Sequence, residues 1–221
     1  MARVVGAAGS VVAAMVAAAV ALVVAACTTS VPGQAVRAPG HPTGRVSAQD
    51  LLLHDGDTTP LGAATSAEVG DSYFTSARPP ECAAALLFVN SPLVPSGAAD
   101  HAESSYRFGT SALYAEAVDL YDRDLNEHDV VWDGFGAVSK CQGDASGVSP
   151  TGPSPPFRLS FFSTGDGVLT WTMTRPDWTC DYGLAVVPRV ALLLSACDAQ
   201  PGFPMADWAV KRRSQLAART A

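Results

Sequence analysis

The spacing of apolar residues predicts two short helices soon after residue 46. Ser47-Ala48-Gln49-Asp50 has the form of a capping box, so we expect a helix to continue through Leu51-Leu52-Leu53. Pro79-Pro80-Glu81 is typical of a second helix start, ahead of an apolar run over residues 82–89. Asn90-Ser91-Pro92 then ends that helix, because a proline disfavours the helical conformation of the residue before it.

Two longer helices are predicted further along the chain. Asp124 or Asn126 caps the first, which carries four residues on one face at helical spacing: Val131, Phe135, Val138 and Cys141. Cys141 is therefore expected on the buried side of this helix, at its end. The second helix follows Pro201–Pro204 and closes the chain, with three residues expected on its inner face: Met205, Trp208 and Leu216.

The other apolar runs predict strands. Residues 113–121 indicate one strand, and residues 142–156 form a loop rich in Gly, Ser and Pro. Residues 157–162 and 168–174 flank Thr164-Gly165-Asp166-Gly167, which is typical of a hairpin turn. In the second of these strands the alternating residues Leu169, Trp171 and Met173 mark the core face. Helices on both sides of a run of hairpins predict a single α+β domain with an antiparallel sheet and packed helices.

The first 26 residues have the layout of a signal peptide. Arg3 is followed by an uncharged run of Ala and Val residues, and small residues then precede Cys27. This ending resembles a bacterial lipobox, in which the cysteine thiol carries a diacylglycerol. An uncleaved transmembrane helix is the alternative, because about 20 apolar residues can span a bilayer. We favour a lipoprotein signal over 1–26 with Cys27 as the lipidation site, because the apolar run stops at that cysteine.

Residues 27–46 are rich in Pro and Gly and contain few apolar side chains, so they are expected to form a flexible tether. The folded domain is then expected over 47–221. Together these segments predict an exported protein, anchored in the cell membrane by lipid and facing the periplasm or cell wall.

Four further cysteines suit two disulfides in an oxidising compartment: Cys82, Cys141, Cys180 and Cys197. Three connectivities are possible in principle. Folding residues 181–196 back at Pro188-Arg189 places Cys180 opposite Cys197, at a pair where the Cα atoms approach to about 4.5 Å. A two-residue turn or a four-residue loop over 187–190 preserves this register. Cys82 then pairs with Cys141 by elimination.

The formal net charge of −7 excludes two classes of partner. Nucleic acid and anionic membrane surfaces both require clustered Lys and Arg, and Lys211-Arg212-Arg213 is the one basic run. The cysteines lack the Cys-x-x-Cys spacing of zinc sites, so no metal site is predicted. No cofactor is predicted either.

The order of these elements and cysteines resembles the extracellular sensor domain of the mycobacterial PknH-type Ser/Thr kinases, which also occurs alone in many mycobacterial lipoproteins. The resemblance covers roughly 47–218, and its most specific pieces are Pro80-Glu81-Cys82, Cys141 at a helix end, and the pair Cys180 and Cys197. It implies the same two disulfides, an antiparallel sheet with helices around a cleft, and binding of an exported ligand without catalysis. Members tend to carry a Trp where this chain has Val138.

Candidate catalytic residues are scattered. His54 and His128 stand beside carboxylates, but neighbouring residues point in different directions and do not converge. The serines, such as Ser160, Ser163 and Ser195, lack a nucleophile-elbow context.

The tryptophans Trp132, Trp171 and Trp208 are best explained as core residues, whereas Trp178 lies outside clear periodicity and is the candidate ligand-binding residue. We therefore predict a non-enzymatic envelope lipoprotein that binds an unidentified small molecule or envelope ligand. The alternative is a passive surface or assembly protein, with a hydrolase third.

Overall fold

The computed structural model describes residues 46–68, 73–109, 111–165 and 167–221, and in these ranges it contains helices and antiparallel strands. The helices in these ranges are α1 (Ala48–Leu51), α2 (Ala83–Leu86), α3 (Glu127–Val138) and α4 (Met205–Thr220), with a 3-10 turn at Pro80–Cys82. The strands are β1 (Thr58–Thr59), β2 (Gly62–Ala63), β3 (Ser76–Arg78), β4 (Asp100–Phe108), β5 (Ala112–Leu120), β6 (Ser146–Ser149), β7 (Gly152–Pro153), β8 (Arg158–Gly165), β9 (Val168–Arg175), β10 (Trp178–Val187) and β11 (Val190–Asp198).

A six-stranded antiparallel sheet forms the centre of the domain, in the order β4-β5-β11-β10-β9-β8. The predicted register of the hairpin β10–β11 is confirmed, because Cys180 pairs with Cys197 and Leu184 with Leu193. Pro188 and Arg189 form its turn without a positive φ at either residue, as the fixed φ of proline requires. The predicted hairpin β8–β9 is also confirmed.

The predicted helix caps match the structure where side-chain oxygens can reach backbone amides. The Ser47 hydroxyl accepts a hydrogen bond from the Asp50 amide at 3.3 Å, and the Asp50 carboxylate accepts one from the Ser47 amide at 3.1 Å. Asn126, and not Asp124, caps α3. This helix ends at Val138, so Cys141 lies just beyond it, although its side chain is buried as predicted.

Three elements differ from the sequence-based expectation. The helix expected over 82–89 is a single 3-10 turn followed by the four residues of α2, because Leu87 is already extended. The expected loop over 142–156 contains β6 and β7, which pair with β3 and with each other. Strand β4 was not predicted. It is an edge strand with mostly polar residues, so it lacks the apolar alternation that marks a half-buried strand.

Each face of the central sheet carries its own core. On one face α1 and α4 cover residues of alternate positions, including Val118, Leu192 and Leu194. On the other face α2 and α3 cover the complementary positions, including Leu169, Leu184 and Leu193. The centre of the sheet is therefore a middle layer, and its inner strands β10 and β11 are buried on both sides and mostly apolar.

Close packing of α4 depends on a glycine in β10. A Cβ atom at Gly183 would lie 3.1 Å from the Met205 sulfur and 3.4 Å from the Ala209 Cβ. Met205, Trp208 and Leu216 are buried, which confirms the predicted inner face of α4. The glycine lets this face approach the sheet backbone directly.

Two disulfides hold the domain together, in the predicted pairing. Cys82–Cys141 joins the start of α2 to the segment after α3, and Cys180–Cys197 crosses the hairpin β10–β11 with a Cα separation of 4.0 Å. The α+β class with an antiparallel sheet and two disulfides is thus confirmed.

The expected signal peptide (1–26), Cys27 and nearly all of the tether (27–46) lie outside the described residues, so the division of the chain at these positions remains a prediction. In the described ranges, no helix combines the length and hydropathy needed to cross a bilayer.

Candidate functional site

A cavity of about 400 Å³ lies over the part of the sheet that α3 does not cover, and we call it the sheet cavity. Its floor consists of two adjacent rows of side chains that the strand register brings side by side. One row contains Arg107, Leu113, Cys197 and Cys180, and the next contains Ser105, Ala115, Ser195 and Tyr182. Helix α3 packs across β8, β9 and β10, and the cavity lies beyond it, over residues 103–107 of β4 and 113–115 of β5.

Aromatic and aliphatic side chains form the walls of the sheet cavity. Leu86, Phe88 and Val89 come from α2 and the extended residues after it. Phe74 and Phe157 meet edge to face, with ring centroids 6.4 Å apart. A Cβ atom at Gly147 would lie only 2.2 Å from the Phe74 ring, so the ring can occupy this position only because residue 147 has no side chain. The cavity is therefore mainly apolar, as small-molecule pockets are.

Trp178 lies at the edge of this floor. It precedes Cys180 and Tyr182 at alternate positions of β10, so the three side chains share one face of the sheet. Trp178 is half-buried and lines the sheet cavity. The sequence pointed to this residue because it lacked core periodicity, and the structure places it beside an open cavity. Its role in ligand binding remains a prediction.

The other tryptophans divide between core and surface. Trp171 and Trp208 are buried, as expected for core residues. The Trp171 ring stacks on Tyr182 with centroids 5.2 Å apart, and its indole NH donates to the Ala85 carbonyl at 2.9 Å. Trp132 is 49% exposed on α3, against the expectation that it belongs to the core, because the inner face of that helix is occupied by smaller residues such as Val131.

A few polar groups reach into the sheet cavity without strong partners. Ser195 is 9% exposed, and its hydroxyl oxygen lies 3.6 Å from the Cys197 sulfur, a weak acceptor. The Ser105 hydroxyl makes no hydrogen bond to the described residues, and Arg175 lines the cavity at the end of β9. Beneath them, burial raises the pKa of the Tyr182 hydroxyl above its ordinary value.

Sequence reasoning missed a cluster of one histidine and two carboxylates on β4 and β5. His101 lies directly across from Asp119, with Nδ1 3.0 Å from an Asp119 oxygen and Nε2 3.0 Å from Glu103. Burial disfavours the charged imidazole, but the hydrogen bonds and negative charges of Asp119 and Glu103 outweigh it and raise the pKa of His101. Burial likewise raises the pKa of Asp119, against the opposing effect of His101. The cluster escaped notice because β4 itself was not predicted.

This cluster does not form a nucleophilic catalytic unit. Both ring nitrogens of His101 are engaged by carboxylates, so neither is available to take a proton from a hydroxyl or thiol. His54 and His128 have exposed side chains, and their polar partners among the described residues are a backbone carbonyl and neighbouring aspartates. Ser160 and Ser163 are exposed on β8. The geometry therefore gives the hydrolase alternative no support.

Within the described ranges, no group of three or more His, Cys, Asp or Glu side chains has an arrangement suited to a metal ion. In the cluster on β4 and β5, the two carboxylates contact different nitrogens of the His101 ring and so do not converge on one point.

Comparison with known proteins gives close relatives in sequence. The chain is 59% identical over 199 residues to lipoprotein LprH of Mycobacterium tuberculosis and to that of Mycobacterium bovis. The alignment covers 87% of this chain and 87% of each relative. No family model matches the sequence.

Comparison with solved structures gives the fold. The crystal structure of the extracellular domain of PknH from Mycobacterium tuberculosis matches with a TM-score of 0.64 and 14% sequence identity. The match covers 79% of this chain and 98% of that domain. The predicted resemblance to the PknH sensor domain is confirmed at the level of the fold.

Proposed function

Because this chain belongs to the family of mycobacterial lipoproteins represented by LprH, we propose that it is an envelope lipoprotein that captures a small envelope molecule in the sheet cavity, without catalysis. Family membership and the fold of an extracellular domain support an exported, envelope-associated protein. The ligand-binding role, the anchoring cysteine and the orientation toward the periplasm or cell wall are proposals.

One observation carries the binding proposal: a largely apolar cavity with a few unsatisfied polar groups lies over a rigid sheet. The floor residues come from β5, β10 and β11, which are held by backbone pairing and by the Cys180–Cys197 disulfide. A preformed cavity of this kind binds a ligand with little loss of conformational entropy. Trp178, at its edge, offers a large flat surface for contact.

The binding proposal is tested by thermal unfolding of the full-length protein in phosphatidylcholine nanodiscs, with purified envelope glycolipids and peptidoglycan fragments as probes. A molecule that binds the native state must raise the melting temperature in a dose-dependent way. Ala115→Trp fills the floor and is expected to abolish that rise, whereas Ala206→Trp, on the exposed side of α4, should leave it intact. Trp178→Ala provides a second cavity variant in case Ala115→Trp does not fold.

A specific observation favours a second candidate, a passive surface or assembly protein. Trp132 and Phe161 are 49% and 55% exposed, and Trp132 continues into a chain of ring contacts through Phe135 and Phe162. If no probe raises the melting temperature, and crosslinking in cells captures an envelope protein that Trp132→Ala releases, this candidate replaces the first.

We propose Cys27 as the lipid attachment site, because small residues and a charge-free apolar run precede it. Lipidation at one cysteine with two or more acyl chains is sufficient for stable membrane anchoring. Cys27→Ala should abolish metabolic labelling with palmitate and release the protein from the membrane fraction, whereas Thr28→Ala should change neither. Labelling that persists in Cys27→Ala would contradict the proposal.

A further inference from the structure

Arg175 differs from the other arginines that the fold half-buries or buries. Its side chain is 19% exposed, and the guanidinium lies over the Phe157 ring, 5.1 Å from the centroid. Arg212, by comparison, is buried with all three of its nitrogens engaged in hydrogen bonds, and Arg213 bonds both Val186 and Glu127. In the part of the chain that the structure describes, the two terminal nitrogens of Arg175 donate no hydrogen bond.

The carboxylate of Asp177 forms an ion pair with Arg175 at Nε, 3.0 Å away. That distance makes an ion pair, yet the buried Nε does not donate a hydrogen bond in acceptable geometry, because its N–H does not point at the oxygen. Asp177 is itself largely exposed, so water screens its charge. The terminal N–H groups of Arg175 are therefore available as donors, in the planar arrangement that suits a carboxylate or phosphate.

The opposite end of the sheet cavity has a different character. Arg107 and Glu103 come from β4, four strands away from β9, or about 19 Å across the sheet at the usual strand spacing. Glu68 adds a second exposed carboxylate at that end. Arg107 shares its end of the cavity with two carboxylates, of which Glu103 is also hydrogen-bonded to His101, whereas Arg175 is paired with the single exposed carboxylate of Asp177. We therefore place the anionic group of a ligand at Arg175.

Between the two ends the cavity is apolar. Leu113 lies on the floor, while Phe88 and Trp178 contribute to the sides. The Ser195 hydroxyl offers one hydrogen bond in this middle region. A long apolar body fits here, since it would cover hydrophobic surface that water now contacts.

From this arrangement we infer that the ligand is an amphiphile with one anionic carboxylate or phosphate group on an apolar body, and that Arg175 binds the anionic group. The inference rests on the proposed binding function and specifies its ligand class. Arg175 is thereby a specificity-determining residue, because it distinguishes the anionic amphiphile from a neutral molecule of the same shape.

The test uses two fluorescent probes that share an aromatic body. One is 8-anilinonaphthalene-1-sulfonate, whose sulfonate stands for the anionic group, and the other is neutral N-phenyl-1-naphthylamine. Both are titrated into full-length protein in phosphatidylcholine nanodiscs, and the signal of empty nanodiscs is subtracted. The protein should bind the sulfonate probe at least about ten-fold more tightly, as a charge-assisted hydrogen bond provides. Arg175→Gln should remove this preference, and the control Arg158→Gln should keep it, since Arg158 is exposed and pairs with Asp144.

The outcomes separate the inference from the proposed function. Equal binding of both probes, sensitive to Ala115→Trp, would overturn the anionic preference and leave the binding function standing. A preference that survives Arg175→Gln but disappears in Arg107→Gln would place the anion at the wrong end and overturn the role of Arg175. Absence of binding by either probe would overturn both proposals.

Competition identifies the acidic group. Decanoate and decyl phosphate are added to the protein with the sulfonate probe bound, and decanol serves as the neutral competitor. Displacement by either anion at concentrations where decanol has no effect supports the inference, and the stronger of the two distinguishes a free fatty acid from a lipid phosphate. Displacement by decanol alone would overturn it.

Discussion

The same strands form both faces of the central sheet, but the polar side chains on the two faces differ in how fully they are hydrogen-bonded. On the face beneath α1 and α4, Glu116 and Arg212 form a buried ion pair with two hydrogen bonds of 2.7 and 2.8 Å. Glu116 also accepts from the Tyr114 hydroxyl and the Leu53 amide, while Arg212 donates to the Leu51 carbonyl. On the face of the sheet cavity, Ser195 and Ser105 lack such partners among the described residues. There, the buried Nε of Arg175 forms an ion pair with exposed Asp177 but no hydrogen bond.

The difference indicates that one face of the sheet stabilises the fold, whereas the other leaves polar groups available to the proposed ligand. Tyr114 and Ala115 are neighbours in β5. The Tyr114 hydroxyl belongs to the buried hydrogen-bonded network, whereas Ala115 lines the floor of the sheet cavity. Polar groups that are fully satisfied rigidify a core. Polar groups that remain unsatisfied beside a cavity are available to a ligand. We call the face beneath α1 and α4 the closed face and the face of the sheet cavity the open face. The hydrogen-bonded network of the closed face therefore stabilises the strands that also form the open face.

The largest expected effect comes from breaking the closed face. Arg212→Met leaves the carboxylate of Glu116 buried without its cation, which should lower the free energy of unfolding by about 3 to 5 kcal/mol. Urea unfolding of the full-length protein, followed by tryptophan fluorescence, measures this loss.

Ser195→Ala is the matched change on the open face. It removes a buried polar group whose partner is a sulfur, so we expect a change in unfolding free energy below about 0.5 kcal/mol. A loss of similar size in both variants would show that the two faces do not differ as described.

The disulfides give the next largest effect. In the loop-entropy treatment, replacing both Cys82 and Cys141 by Ala should cost about 4 kcal/mol, because their sequence separation is 59. The same replacement of Cys180 and Cys197, separated by 17 residues, should cost about 3 kcal/mol. Urea unfolding of the two double variants checks the order.

The second pair also contributes to the cavity floor, so its removal sharpens the comparison of the faces. Loss of Cys180–Cys197 should weaken probe binding more than loss of Cys82–Cys141, although it costs less stability. The reverse order in binding would argue that the cavity depends on overall stability and not on its floor.

A further small effect concerns pH. Since the folded-state pKa of His101 is raised above 6.5, its protonated form favours folding, and this contribution is complete below 6.5 and lost as the pH rises through the raised value. The side chain is 47% exposed, so solvent limits the contribution to less than about 1 kcal/mol. The stability difference between the native sequence and His101→Gln should be larger at pH 5.5 than at pH 8. A difference that grows with pH would contradict the assigned sign.

The predictable part of the fold followed from local rules. The capping box at Ser47, the register of Cys180 with Cys197 and the inner face of α4 depend on residues close in sequence, and all three are confirmed. Strand β4 and the small sheet of β3, β6 and β7 could not be predicted in the same way. Their partners are remote in sequence, and pairing satisfies their backbone groups without an apolar pattern.

The candidate site was predictable only in part. Trp178 stood out from the sequence because it did not fit a core, but nothing local indicated Arg175, Ser195 or Glu103 as parts of one surface. These residues come together because β4, β5, β11, β10 and β9 pair in that order.

By itself, the sequence determined the four paired cysteines and the α+β class, and it predicts a signal peptide at residues 1–26, because each depends on composition, spacing or short-range geometry. Only the tertiary structure decided which of the alternating side chains are covered. The period of two along a strand assigns residues to two faces, but whether a helix packs on a face or leaves it open depends on contacts between distant segments. The sheet cavity lies beyond α3, which packs on β8 to β10, over residues 103–107 of β4 and 113–115 of β5.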